Sequence, residues 1–182
     1  MTELDLLAAD LRVSGRTLRR AVARGTLRGA KSDGAVELPP REHEYVREHW
    51  PLIERMLAVL RTRPNVRLAV LFGSTARGTH REDSDVDLLV RVGADWMDRV
   101  EAGAALELAL GRPVQLVPIE TAPALLLADV LRDGRVLADR DREWAHLGRR
   151  VEAIEKAAAE DAAKLDELAW ETLERFDELV AL

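Results

Sequence analysis

Residues 70–92 of this 182-residue chain read VLFGSTARGTHREDSDVDLLVRV. Two apolar runs flank a glycine-containing turn, and the second run begins with the acids Asp85 and Asp87. Alternate residues of a strand project to the same face of a sheet, so these two carboxylates are expected to point the same way. Such a pair suits Mg²⁺, which binds a few carboxylates together with phosphate oxygens. The stretch therefore predicts two strands, a turn between them and a metal site at the start of the second strand.

The turn itself predicts a phosphate-binding site. Gly73 and Ser74 follow the strand-like run 67–72, and the backbone N–H groups of a glycine turn that opens a helix can cradle a phosphate. The Ser74 hydroxyl offers a further donor, and Arg77 offers positive charge about one helical turn later. Gly78 is where this short helix is expected to end. A phosphate cradle beside a carboxylate pair indicates metal-assisted phosphoryl or nucleotidyl transfer.

The spacing Gly73-Ser74, ten residues, Asp85-x-Asp87 resembles the signature of the DNA polymerase β-like nucleotidyltransferases. The fuller segment GSTARGTHREDSDVDLLV is similar to the minimal nucleotidyltransferases of bacteria and archaea, and the resemblance runs from about residue 64 to residue 139. It implies transfer of a nucleoside monophosphate from an NTP to a hydroxyl, often on a protein, with Mg²⁺. Several such proteins belong to toxin–antitoxin pairs, so the resemblance also implies a protein partner, either a cognate toxin or a modified target.

The same resemblance assigns roles to individual residues. Gly73 and Ser74 would hold the triphosphate, and Arg77 would neutralise part of its charge. Asp85 and Asp87 would be the catalytic acids and the metal ligands.

One position departs from the family pattern. The family supplies a third carboxylate from a neighbouring strand, and the register of residues 111–117 puts Gln115 in its place. Glutamine carries no charge and takes no proton at neutral pH. A general base contributes roughly 10²–10⁴-fold in rate, so we expect weak or absent transfer with nucleotide binding retained. The alternative is a catalytically degenerate transcriptional regulator or antitoxin that uses the fold to sense nucleotide or to bind a partner.

The N-terminal segment predicts DNA binding. Residues 2–11 and 16–24 have helical apolar spacing, a Val-Ser-Gly break separates them, and residues 27–38 read as a hairpin, which together resemble a helix-turn-helix or winged-helix module. Seven basic residues and no acid lie between Leu11 and Ser32, although the whole chain has a net charge of −6. The basic residues expected to contact DNA are Arg16, Arg19, Arg20 and Arg24. A solvated arginine-rich face, or docking on the acidic remainder of the chain, is the other interpretation.

The pattern along the chain predicts an α+β fold with three parts. Residues 1–40 form the helix-turn-helix domain, residues 41–140 form a nucleotidyltransferase-like domain with a small mixed sheet flanked by helices, and residues 141–182 form a long helical extension. Within the second part, Pro51 is expected to interrupt a helical segment and open a second helix. The apolar stripe of the extension predicts a packing surface, a homodimer seam or a partner-binding surface.

Composition excludes several classes of site. The chain has no cysteine, so it has no disulfide, thiolate zinc site or cysteine nucleophile. Acids stand where a secretory signal needs positive charge, and no apolar run is long enough to span a membrane. We therefore expect a cytoplasmic protein.

Overall fold

The computed structural model describes residues 2–32, 35–81, 84–93 and 95–180. It has the predicted α+β class, with a small mixed sheet flanked by helices and a long C-terminal helix. The helices are α1 (Glu3–Asp10), α2 (Gly15–Arg24), α3 (Pro40–Arg61), α4 (Gly73–Arg77), α5 (Trp96–Leu110), α6 (Ala124–Asp133), α7 (Glu143–Gly148) and α8 (Val151–Val180), with a 3₁₀ turn at Ile119–Thr121. The strands are β1 (Ala30–Ser32), β2 (Ala35–Glu37), β3 (Val66–Phe72), β4 (Val86–Val92), β5 (Val114–Pro118) and β6 (Arg135–Asp139).

The central sheet has the strand order β5-β4-β3-β6. Strand β3 is antiparallel to both β4 and β6, whereas β4 and β5 are parallel. Helices cover both faces, which explains why β3 and β4 are nearly continuous apolar runs rather than alternating ones. Leu71 and Leu88 pack with the cluster of α3 and α5, while Val70 and Leu89 pack with the cluster of α6 and α8.

The two N-terminal helices form as predicted and have well-defined ends. Thr2 caps α1 in a reciprocal capping box with Asp5. The Ser14 hydroxyl accepts a hydrogen bond from Thr17 N at 3.1 Å, and Gly25 ends α2 in the left-handed conformation, with φ at +87°. Strands β1 and β2 pair in antiparallel orientation after α2, and the Asp33-Gly34 turn predicted between them lies outside the described residues.

The N-terminal segment packs directly on the edge of the central sheet. Val136 N donates to Gly25 O at 3.1 Å, and the buried Thr26 hydroxyl donates to Val136 O at 2.5 Å. Leu7 and Leu18 belong to the same buried apolar cluster as Trp50 of α3. The apolar core therefore runs across the boundary that we place after residue 40, and the division into three domains remains a prediction.

The structure corrects two expectations about the helices. Pro51 lies inside one uninterrupted helix, α3, so the predicted second helix is wrong. Trp50, Leu52 and Ile53 are all buried around it, and this packing holds the helix together although proline removes one backbone hydrogen bond. The C-terminal extension is divided at residues 149–150 into α7 and α8, whereas a nearly continuous helix was expected. The side chains of residues 171 and 173–180 lie outside the described set, and part of the predicted apolar stripe lies there.

Within the described ranges, we find no helix that combines the length and the apolar character needed to cross a membrane.

Candidate active site

The glycine turn and the acid pair meet at one corner of the sheet. Phe72, the last residue of β3, pairs with Asp87 of β4, and Gly73 begins α4 immediately afterwards. Gly73 has φ at +72°, and a Cβ added there would lie 2.6 Å from Asp87 Oδ2. Only glycine allows both this left-handed backbone and this close approach. The turn and the carboxylate predicted to work together are therefore in direct contact.

Helix α4 presents its first turn at this corner. Its N-terminal residue is preceded by Phe72, which makes no side-chain capping hydrogen bond. The first N–H groups of any helix lack partners within the helix, so they are available to an anion. Ser74 is partly exposed, and Gly78 ends the helix with φ at +75° as predicted. A glycine turn that opens a helix is thus present, and phosphate binding by it remains a prediction.

The two acids differ in their surroundings. Asp85 is exposed just before β4, whereas Asp87 is partly buried within the strand. Burial raises the pKa of Asp87, the nearby negative charge of Asp85 raises it further, and Arg77 acts in the opposite direction. Two carboxylates that repel one another in a partly dry site are a natural place for a cation.

Gln115 occupies the position predicted for it. In the parallel pairing of β4 and β5, Gln115 is the direct partner of Asp87. Paired residues of adjacent strands project to the same face of the sheet, so the amide belongs to the same corner as the acids. Glu120, the nearest acid along the chain, forms an ion pair with Arg91 at 2.7 Å and is engaged elsewhere.

Arg77 lies at the rim of this corner. Its guanidinium is 4.0 Å from Asp133 at the end of α6, and its side chain is 46% exposed. Asp133 also contacts Arg28, at 3.8 Å. Arg77 is therefore held by a carboxylate that has more than one cationic neighbour, and its exposed guanidinium is accessible to a phosphate.

A buried polar network that the sequence analysis missed supports α4 from below. Arg135 Nε donates to Ala76 O at 2.7 Å, and its other nitrogens bind Glu42 at 2.5 and 3.0 Å. The Arg135 guanidinium carbon also lies 3.4 Å from the ring centroid of Tyr45, whose hydroxyl donates to Thr75 O at 3.2 Å. The sequence does not distinguish Arg135 from an exposed arginine, because β6 is too short for its apolar pattern to show which face of the sheet Arg135 occupies.

Two histidines lie beneath the end of α4. His49 and His80 have ring centroids 4.9 Å apart, and a Cβ on Gly78 would lie 3.0 Å from His49 Nε2. His80 is partly buried, and its Nδ1 is enclosed without a hydrogen-bond partner among the described residues. Burial lowers the pKa of both histidines. Arg81, the next residue, is exposed.

The loop before β4 is held by Arg112 and Ser84. The Arg112 guanidinium donates twice to Ser84 O, once from Nε at 2.8 Å, and Arg81 N donates to Ser84 Oγ at 2.9 Å. These bonds fix the backbone directly before Asp85. Arg112 follows the helix-ending Gly111, and no sequence motif identified it.

The arginines predicted to contact DNA have different surroundings. Arg16 and Arg20 are exposed on α2. Arg19 forms an ion pair with Asp5 of α1 at 3.3 Å, and Arg24 Nη1 donates to Leu137 O of β6 at 3.3 Å. Arg16 and Arg20 are thus the two of the four whose side chains make neither an ion pair nor a hydrogen bond with the described part of the chain.

The donor set fits a magnesium ion that is shared with a nucleotide. Among the residues described, no group of three or more histidines or acids is close enough to form an all-protein metal site. Asp85 and Asp87 offer two hard oxygen ligands beside the α4 turn, and Mg²⁺ ordinarily completes its shell with water and substrate phosphates. Asp85 and Asp87 are the residues that would hold it.

Comparison with known proteins agrees with this geometry. The sequence profile of the polymerase β nucleotidyltransferases matches residues 54–143. A Methanocaldococcus jannaschii protein, provisionally named a protein adenylyltransferase, is 31% identical to this chain over 83 residues. The match covers 44% of this chain and 89% of that protein. The chain belongs to the polymerase β nucleotidyltransferase family. The match begins within α3 and ends at the start of α7, so the N-terminal helices and α8 of this nucleotidyltransferase lie outside it.

Two further relatives of this nucleotidyltransferase have more specific descriptions. The protein adenylyltransferase MntA of Shewanella oneidensis is 35% identical over 77 residues, which is 41% of this chain. The match spans only 55% of the MntA length. A crystal structure of a toxin–antitoxin with AMP-PNP has a TM-score of 0.52 and 28% identity, and the superposition covers 64% of this chain and 98% of that one.

Proposed function

We propose that this nucleotidyltransferase binds an NTP with Mg²⁺ and transfers a nucleoside monophosphate to a hydroxyl of a protein partner, as one member of a toxin–antitoxin pair. The observation that carries the proposal is the close approach of the Gly73 turn to Asp87, because a phosphate held by the turn would lie beside a carboxylate able to bind Mg²⁺. The MntA relative, a protein adenylyltransferase, and the toxin–antitoxin structure with AMP-PNP support the substrate and the partner.

Each residue of the site has a distinct task in this proposal. The first turn of α4 and the Ser74 hydroxyl hold the triphosphate, and Arg77 adds positive charge. Asp85 and Asp87 hold Mg²⁺, which when bound neutralises phosphate charge. The acceptor oxygen forms a bond to the α-phosphorus, the bond from that phosphorus to the bridging oxygen breaks, and pyrophosphate leaves. Gln115 takes no proton, so the proton of the acceptor goes to solvent and transfer is slow.

The decisive experiment is incubation of the purified chain with each α-labelled NTP, Mg²⁺ and the protein encoded by the neighbouring gene. Label on that protein, lost in Asp85→Asn and Asp87→Asn variants, supports transfer. An exposed acid on α3, changed in Glu54→Gln, is the matched control and should leave labelling intact. Label on no protein at any enzyme concentration contradicts the proposed transfer.

A second candidate function is a regulator that binds nucleotide without transferring it. The neutral Gln115 opposite Asp87 favours it, because the site then lacks the third carboxylate while keeping the other parts. In this case the experiment above gives no label, and equilibrium dialysis still detects NTP bound in the presence of Mg²⁺. Loss of that binding in the Asp85→Asn variant would identify the same site as the sensor.

The N-terminal helices supply a DNA-binding function in either case. Arg16 and Arg20 project from α2 without ion-pair partners in the described chain, and Arg19 and Arg24 flank them. Contacts to DNA phosphates make binding weaken steeply with salt. We expect an Arg16→Gln, Arg20→Gln double variant to lose most of its affinity for duplex DNA. The remaining affinity should depend less steeply on salt concentration. An Arg55→Gln variant on α3 is the control, and equal binding by both variants would argue against this assignment.

Helix α8 is the proposed surface for a protein partner or for a second copy of the chain. Its N-terminal part is anchored through the buried Ile154 and Ala158, whereas all side chains from residue 163 to residue 170 are exposed. The exposed apolar residues are Leu165, Leu168 and Trp170. Light scattering of the chain alone and with its partner tests this, since Leu165→Glu with Leu168→Glu should abolish whichever complex forms. Unchanged assembly would exclude α8 as the interface.

A further inference from the structure

A cavity, which we call the arginine cleft, lies away from the candidate active site. It has a volume of about 410 Å³ and is bounded by α2, the C-terminal half of α3 and the end of β6. Its charged lining residues are Arg20, Arg24, Arg61, Arg140 and Asp139. Asp139 pairs with Leu68, near the start of β3, whereas the glycine turn follows the end of that strand. The cleft and the glycine turn therefore lie at opposite ends of β3.

Most of the positive charge in the arginine cleft is left without a neutralising carboxylate among the described residues. Arg20 and Arg61 form no ion pair with any described residue, and the carboxylate of Asp139 accepts a hydrogen bond from Glu143 N at 2.8 Å. Four guanidinium groups face one carboxylate, so the lining has a formal charge of +3. Uncompensated charge of this kind disfavours the folded state unless an anion is bound.

Backbone carbonyls hold two of these arginines in place. Arg24 Nη1 donates to Leu137 O at 3.3 Å, and Arg140 donates to Leu60 O and Val66 O at 2.8 and 3.0 Å. Burial and the nearby charges of Arg61 and Arg20 lower the pKa of Arg24. The guanidiniums are therefore oriented by neutral acceptors and crowded against one another. Such an arrangement is preorganised for an anion rather than for an internal salt bridge.

Apart from Thr17, the remaining lining residues are apolar. Leu57, Leu60, Ala21 and Leu137 contribute side chains, and Trp50 lies at the base. The indole Nε1 of Trp50 is buried and has no hydrogen-bond partner among the described residues. The cleft thus combines exposed arginines with a partly apolar lining that includes the buried Trp50.

We propose that the arginine cleft binds a small anion with two or three consecutive phosphate groups, separately from the candidate active site. Arginine pairs with phosphate oxygens through parallel N–H bonds, and a charge of −3 or −4 matches the +3 of the lining. One wall of the cleft is α2 and the others are α3 and β6, so the bound anion bridges the N-terminal helices and the nucleotidyltransferase core. Binding stabilises their contact.

Calorimetry with the full-length chain tests this proposal, with inorganic pyrophosphate and tripolyphosphate as ligands in EDTA. The key variant combines Arg20→Gln with Arg61→Gln, since both side chains are exposed and unpaired in the described chain. Arg55→Gln, an exposed arginine on α3 outside the cleft, is the matched control, and Arg77→Gln disables the candidate active site. We expect the wild type, Arg55→Gln and Arg77→Gln to bind pyrophosphate and tripolyphosphate with similar affinity. The double variant should lose at least about tenfold in affinity for both anions.

Thermal unfolding supplies an independent readout. A ligand concentration one hundred times the wild-type dissociation constant should raise the Tm of the wild type by about 5–10 °C, and a tenfold loss of affinity should about halve that shift in the double variant. Without ligand, the double variant should unfold within about 2 °C of the wild type, which shows that it folds.

Three results would overturn the proposal. They are no pyrophosphate or tripolyphosphate binding by the wild type, equal binding by the double variant, and loss of binding in Arg77→Gln alone. If duplex DNA binds through Arg20 and Arg61 and the inorganic anions do not bind, the cleft contacts phosphates of the DNA backbone. The proposal of a small anion is then wrong.

Discussion

Asp87 and Gln115 are direct partners in the parallel pairing of β4 and β5. A charged carboxylate therefore has a neutral amide beside it at the position where the family resemblance implies a third acid. The amide can accept a hydrogen bond but cannot act as a base. In the proposed function this pairing separates nucleotide binding from transfer, because the groups proposed to bind the nucleotide are present and the acid proposed to speed transfer is replaced by Gln115.

Replacing Gln115 by aspartate should raise transfer activity. The new carboxylate would stand beside Asp87 and supply the missing base and metal ligand, and a general base contributes roughly 10²–10⁴-fold. Initial rates of label transfer from NTP measure the effect. Gln115→Asn is the matched control, since it has the same size as aspartate without the charge. Equal rates for the two variants would mean that the lost acid does not limit the reaction.

Gly73→Ala should destabilise the protein by about 2 kcal/mol and abolish nucleotide binding, because the new Cβ meets both an unfavourable φ and Asp87 Oδ2 at 2.6 Å. Gly111→Ala is the matched control. Gly111 has a similar φ of +69°, and a Cβ there would have no neighbour within 4 Å. It should cost about 1 kcal/mol from backbone strain alone and leave binding intact. Urea denaturation and equilibrium dialysis separate these effects, and equal losses for both variants would show that the contact with Asp87 is unimportant.

Asp87→Asn should stabilise the ligand-free protein at neutral pH. Burial and Asp85 raise the pKa of Asp87 above its ordinary value of 3.8, so the ionised form disfavours the folded state. Stability due to this group is therefore present at low pH and lost as pH rises through the raised pKa. Denaturation at pH 4 and pH 7 should show the stabilising effect at the higher pH. With Asp87 retained, the single change Asp85→Asn should lower the pKa of Asp87 measured by NMR. An unchanged pKa would contradict the proposed repulsion between the two carboxylates.

Arg135→Met should cost about 3–5 kcal/mol, because it leaves the buried Glu42 carboxylate without its partner. The same change releases Ala76 O and Thr26 O, which accept from the Arg135 guanidinium. Arg132→Met, at an exposed ion pair on α6 three residues earlier in the chain, should stay within about 0.5 kcal/mol of the wild type. Chemical denaturation compares the two, and similar losses would mean that the buried pair adds nothing specific.

The protein should lose stability as pH falls below about 6.5, the ordinary pKa of histidine. Burial lowers the pKa of His49 and His80 in the folded state, so the unfolded chain binds more protons in this range. A His49→Gln, His80→Gln variant should show a flatter profile of stability between pH 5 and pH 7. His146→Gln, at an exposed position, should leave the profile unchanged. An identical profile in all three proteins would exclude the buried pair as the cause.

Sequence reasoning worked best where local pattern and chemistry agree. The apolar run of β3, the left-handed glycines at 73 and 78 and the strand that carries Asp87 all follow from short-range rules, and the structure has each of them. Gln115 was located because a family register ties it to the acids. These features depend on neighbours within a few residues or on a fixed motif.

The features that escaped prediction depend on distant contacts. Proline at position 51 reads as a break, yet burial of Trp50 and Ile53 keeps α3 continuous. Arg135 contacts Glu42 over a separation of 93 residues, and His49 contacts His80 through the fold rather than the sequence. In a chain with 27 lysines and arginines, nothing local marks which guanidinium will be buried.

The bonds between the residues after α2 and β6 have a consequence for the solution behaviour of the chain. Strand β6 pairs with β3 on one side only, and Gly25 and Thr26 occupy the backbone groups of Val136 on the other. An uncovered sheet edge is a template for pairing with other chains. We therefore expect the segment proposed to bind DNA also to cover the β6 edge of the sheet. A fragment lacking this segment would expose that edge to pairing with other chains and should aggregate more readily.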